Sequence, residues 1–189
     1  MTARSWIRNL FARTPRTRRH EPARFRPRLE ALEGRLLLSF SPTQIRHAYG
    51  FDRVAFLDSS HSQIAGDGHG QVIAIVDPYD DPNISSDLAT FDSHFGLPDP
   101  PSFQKVDQTG GTNYPSPDLS SAGEISLDVE YAHAMAPGAN ILLVEANDQT
   151  GTNLYTAVQY AANHGATAVS MSFGTGEFSG ETGLDSFFT

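Results

Sequence analysis

Three short apolar runs, separated by segments of helical character, constrain this chain more than anything else in it. Gln71–Val76, Asn140–Glu145 and Thr167–Phe173 lack the in-out alternation of a strand with one wet face. Continuous runs of this kind suit strands covered by helices on both faces of a parallel sheet. Ser102–Val106 reads as a further strand. Between these runs, one helix is predicted from about Ser85 through Leu88, Phe91 and Phe95, and Gly96-Leu97-Pro98 closes it. Another runs from about Thr152 through Leu154, Ala157, Val158 and Ala161 to His164-Gly165. The order β-α-β-α-β-α-β predicts an α/β fold with a mostly parallel sheet flanked by helices and joined by right-handed crossovers. Upstream, Ser41-Pro42-Thr43 starts a short helix through Ile45 and Tyr49, and residues 57–70 read as a polar, glycine-rich loop. Gly66, Gly68 and Gly70 precede their strand, whereas a dinucleotide loop follows its strand and opens a helix, so they mark a turn and no phosphate site.

The remaining helix carries the chemistry. It extends from Ser121 or Gly123 to Pro137-Gly138, which cannot continue it, after a long loop at residues 107–122. Glu124 and Asp128 stand four residues apart and share one helix face. At that spacing two carboxylates repel by about 0.2–0.5 kcal/mol, and the unpaired N–H groups of a helix start offset part of this. If the pair is buried, it can share one proton and act as a general base at acid pH. An isolated Glu-x-x-x-Asp is more often a solvated acidic face. Here the surrounding segments decide.

The stretch Gly123-Glu124-Ile125-Ser126-Leu127-Asp128-Val129-Glu130-Tyr131-Ala132-His133-Ala134-Met135-Ala136-Pro137-Gly138-Ala139 resembles the catalytic helix of the sedolisins, serine-carboxyl peptidases related in fold to subtilisin. Further matches follow in order: Ile73–Pro82, Phe95-Gly96-Leu97-Pro98 and Val169–Gly174. The resemblance covers about residues 42–189. It implies a subtilisin-like fold and hydrolysis of peptide bonds in peptides or proteins. In that family a serine attacks the scissile carbonyl, a Glu takes its proton, an Asp one turn away supports the Glu, and a second Asp stabilises the oxyanion. By motif, Glu124 would be the base and Asp128 its partner, which follows the usual logic of nucleophile, base and orienting group. Ser172, Phe173 and Gly174 would line the substrate cleft through backbone hydrogen bonds. The family's serine, oxyanion Asp and calcium site would all lie beyond residue 189, so the resemblance implies a sheet truncated on its C-terminal side. It also implies no nucleophile and no cofactor within this chain. Thr175 and Ser179 do not sit in a strand-to-helix elbow and are no substitute.

Other acidic and basic residues carry blander readings. Asp77 ends its strand and is expected to be structural, capping the turn with Asp80 and Asp81. Asp80, Asp81 and Asp87 fit no metal-loop spacing. His133 lies off the Glu124–Asp128 face and reads as a packed or surface histidine.

Charge divides the chain. Residues 1–40 hold ten of the thirteen Lys and Arg against three acids, a balance of +7, and the remainder carries −16. The segment Arg26–Ser39 resembles a leader on large exported surface proteins of some bacteria. Residues 1–40 are therefore read as a basic export leader and residues 41–189 as the N-terminal part of a peptidase domain, secreted or at the cell surface. An arginine arm could also bind nucleic acid, but an acidic body repels a polyanion. Nothing approaches the roughly 20 apolar residues of a membrane span, and the absence of cysteine excludes a disulfide framework or thiol nucleophile. The alternative to a peptidase is a non-catalytic peptide-binding module or a degenerate gene remnant. The sequence does not specify an oligomeric state.

Overall fold

A computed structural model describes residues 40–177 and 179–187, with the side chains of 185–187 left aside. The basic leader lies almost wholly outside the described residues. Helix α1 (Pro42–Tyr49) opens with a capping box, in which Ser41 Oγ accepts from the Gln44 N–H and the Gln44 side chain accepts from the Ser41 N–H. The predicted loop at 57–70 contains part of a small antiparallel hairpin, β1 (Ala55–Leu57) against β2 (Gln63–Ala65). Every residue of both strands is exposed, so no buried face produced an alternating pattern to read.

The main sheet contains β3 (Val72–Pro78), β4 (Phe103–Asp107), β5 (Asn140–Ala146) and β6 (Ala168–Met171), in spatial order β4-β5-β3-β6 and parallel throughout. Helices α2 (Ile84–Phe95), α3 (Leu119–Met135) and α4 (Gly151–Asn163) alternate with the strands in the predicted order. Alternate residues of β3 and β5 feed two separate cores. Ile75, Ile141 and Leu143 meet Ile84 and Leu88 of α2 and Ile125 and Val129 of α3. Ala74, Val76, Leu142 and Val144 meet Leu154, Ala157, Val158 and Ala161 of α4 on the opposite face. Each fully buried Leu, Ile or Val contributes about 1.5–3 kcal/mol, so burial on both faces fixes the strand register.

Two boundaries differ from expectation in ways that matter for the site. Helix α3 begins four residues before Gly123, because Asp118 accepts hydrogen bonds from the N–H groups of Ser120 and Ser121. Glu124 therefore sits in the second turn, beyond the strongest part of the helix-end dipole. Strand β6 ends at Met171, which leaves Ser172–Gly174 as irregular chain just past the sheet.

Candidate active site

Neighbouring strands β3 and β5 send their chains to opposite faces of the sheet, to α2 and α4 respectively. Divergence of this kind leaves a crevice at the carboxyl ends of the strands, where ligands of open α/β sheets bind. A cavity of about 1160 Å³ lies there, with Asp77, Glu124, Leu154, Tyr155, Ser172, Phe173 and Gly174 among its walls. The structure thus brings Glu124 and all three expected wall residues into one cleft.

The acid pair differs from the buried, proton-sharing couple that the spacing allows. Glu124 is exposed and Asp128 half-buried. Asp128 Oδ2 accepts a 2.5 Å hydrogen bond from Ser172 Oγ, so Ser172 contributes its side chain as well as its backbone. The buried member of the cluster is Asp77. It continues the Ile73–Ile75 side of β3 toward α3 and is 1% exposed, and its Oδ2 has no hydrogen-bond partner. Burial first, then the charges of Asp128 and Glu124, push its carboxyl up to about 7. Asp77 therefore does not cap the turn. That role falls to Asp81, whose Oδ1 accepts from the Asn83 N–H and whose Oδ2 accepts from Ser126 Oγ on α3.

A second charged cluster holds this turn in place and escaped sequence reasoning. Lys105 on β4 donates to Asp80 and to the Asp81 carbonyl, and its ammonium lies 3.1 Å from Glu145 Oε1. Burial works against the lysine's charge, but the hydrogen bonds to Asp80 and Glu145 outweigh it and raise its pKa. Glu145 on β5 is fully buried and accepts from the Asp81 N–H. Burial pushes it up to about 8 despite that bond and the lysine. Through Asp81 and Ser126 the cluster reaches α3 between Glu124 and Asp128. Only the strand register could have revealed it, since pairing Lys105 with Leu143 brings the lysine within reach of Glu145 two residues further along β5.

The far half of α3 is pinned separately. Of the packed and surface readings of His133 the structure gives the packed one, with Nε2 2.8 Å from the Pro98 carbonyl and 3.4 Å from Asp92 Oδ1 on α2. Arg46 of α1 donates to the carbonyls of Ala134 and Met135 at the helix C-terminus, where the dipole favours a cation. Helix α3 is thus held at both ends, and Glu124 lines the cleft. Among the described residues no three His, Asp or Glu side chains are placed to hold a metal ion.

A parallel sheet with helices on both faces and an acid cluster at its carboxyl edge defines an α/β, subtilisin-like architecture. No family model matches the chain. It is 32% identical over 142 residues to kumamolisin from Bacillus sp. (strain MN-32), an alignment covering 72% of this chain and 23% of that protein. The solved structure of Pseudomonas sedolisin, a serine-carboxyl proteinase complexed with two molecules of pseudo-iodotyrostatin, matches with a TM-score of 0.50 at 25% identity. That match covers 65% of this chain and 34% of the sedolisin chain. By sequence and fold the chain is similar to the sedolisins, and it spans about a quarter of the length of the curated relative it matches.

Proposed function

We propose that this chain forms the acid half of a serine-carboxyl peptidase site, in which Glu124 is the general base, Asp128 its supporting acid, and Ser172–Gly174 the wall that receives a peptide. The observation that carries this is the cleft itself. It places an exposed carboxylate on a rigid helix beside a buried acid that prefers to be neutral, opposite backbone that has left its strand. Burial and the charges of Asp128 and Glu124 push Asp77 up to about 7, so it holds a proton at mildly acid pH. A carboxylate base serves best near its own pKa, so this arrangement suits proton abstraction from a hydroxyl under acid conditions. An extended peptide can hydrogen-bond to the backbone of residues 172–174, with Phe173 and Tyr155 offering apolar surface to its side chains.

On this reading no residue of 1–189 is assigned as serine nucleophile or oxyanion acid, and peptide binding is the activity expected of these residues. The leader resemblance and the acidic body support export as the setting. The test is to incubate the full chain with a mixture of short peptides between pH 3 and 8, following binding and cleavage together. Saturable binding without turnover is expected. Acid proteolysis abolished by Glu124→Gln would overturn the assignment of a missing nucleophile, and no binding at any pH would overturn the cleft reading.

A further inference from the structure

We propose that Ser172 is a positioning residue whose hydroxyl holds Asp128 beside Asp77, tying the wall on which a peptide lies to the carboxyl cluster. The inference rests on the peptide-site reading given above and adds a link within that site.

The geometry is specific. Met171, the last residue of β6, pairs with Val76, so Ser172 stands level with Asp77 at the strand ends. Its hydroxyl crosses from the end of the sheet to α3 and donates to Asp128 Oδ2 at 2.5 Å, joining residues 44 apart in sequence. Short hydrogen bonds to an ionised carboxylate are about twice as strong as neutral ones. Without this bond, nothing observed among the described residues keeps the half-buried Asp128 side chain from turning toward water, where it would regain rotamer freedom. With the bond, its charge bears on Asp77, more strongly than that of Glu124 does. The same residue begins the irregular segment Ser172–Gly174 that lines the cleft. A peptide that hydrogen-bonds to this backbone fixes the Ser172 backbone and with it the hydroxyl. Peptide occupancy and the proton on Asp77 are then linked equilibria, and each must alter the other by the same factor.

The experiment is a carboxyl-carbon NMR titration of Asp77 in the full chain, comparing the wild type with Ser172→Ala and Ser172→Thr, and repeating Ser172→Ala in an Asp128→Asn background. Ser172 is exposed and lies past the strand, so these variants leave the fold intact, which far-UV circular dichroism verifies. In Ser172→Ala the Asp77 midpoint is expected to fall by roughly 0.5–1 pH unit, the change produced when a carboxylate a few ångströms away recedes by a few more. Ser172→Thr keeps a hydroxyl and restores the wild-type midpoint. In the Asp128→Asn background Ser172→Ala moves nothing. A midpoint unchanged in Ser172→Ala, or an equal fall in the Asp128→Asn background, overturns the inference, because a merely structural serine predicts either result. Peptide affinity measured on the same samples separates the two claims. Binding with an unmoved Asp77 defeats the tether alone, while a moved Asp77 without peptide binding defeats the peptide reading and leaves the tether supported.

Discussion

Replacing Asp77 by asparagine should make the protein more stable at neutral pH and leave it nearly unchanged near pH 4. In the unfolded chain this carboxyl titrates at its ordinary value of 3.8, whereas in the folded protein it is pushed up to about 7. Between those values the native state binds more protons than the unfolded state, so stability falls as pH rises through the window. The full difference corresponds to about 4 kcal/mol, reached near pH 7 and constant above it. Asparagine keeps the size of the side chain and cannot ionise. The gap between variant and wild type should therefore open from near zero at pH 4 to as much as about 4 kcal/mol at pH 8. Urea unfolding followed by far-UV circular dichroism at several pH values measures this gap. Its change with pH is the informative quantity, because the amide adds a pH-independent offset, and the slopes from Glu130 and Glu145, both also pushed up, cancel between the two proteins. A gap that stays the same from pH 4 to pH 8 would refute the reasoning.

Three further perturbations probe how α3 and its surroundings are held. Arg46→Met removes the cation that donates to the Ala134 and Met135 carbonyls, and urea unfolding should show a loss of about 1–2 kcal/mol that shrinks in high salt. Asp107→Ala strips four hydrogen bonds from Thr109, Gly111 and Asn113, so the loop they close should exchange its amide protons faster, with a stability loss of roughly 1.5–3 kcal/mol. Asp92→Leu removes a buried carboxyl whose two oxygens lack hydrogen-bond partners and whose charge burial opposes, so it should cost little or stabilise at neutral pH. Adding His133→Leu should cost about 1–3 kcal/mol more in the same unfolding assay, because it leaves the Pro98 carbonyl without its partner.

The sheet and its helices were legible because burial on both faces writes continuous apolar runs, as in Ile73–Val76 and Ile141–Val144. The start of α3 was misjudged for a local reason: Asp118 is a strong N-cap, but the polar residues after it read equally well as loop. The β1–β2 hairpin was missed because neither strand buries a side chain. Glu124, Asp128 and Ser172–Gly174 are singled out by resemblance, and periodicity alone leaves an acidic helix face. What no one-dimensional reading supplies is register. Asp77 faces Glu124 and Asp128 only because α3 lies over β3. Lys105 meets Asp80 and Glu145 only because β4 and β5 pair as they do. The Ser172–Asp128 bond depends on where β6 stops.

If α3 and the end of β6 form one acid-facing peptide site, an amide-resolved NMR titration of the full chain at pH 4 with a short peptide blocked at both ends will locate it. Saturable shifts should concentrate at Ser172, Phe173 and Gly174 and at the Glu124 turn of α3, and Ser172→Pro should weaken them. Absent shifts, or shifts confined to surfaces away from this cleft, would contradict it.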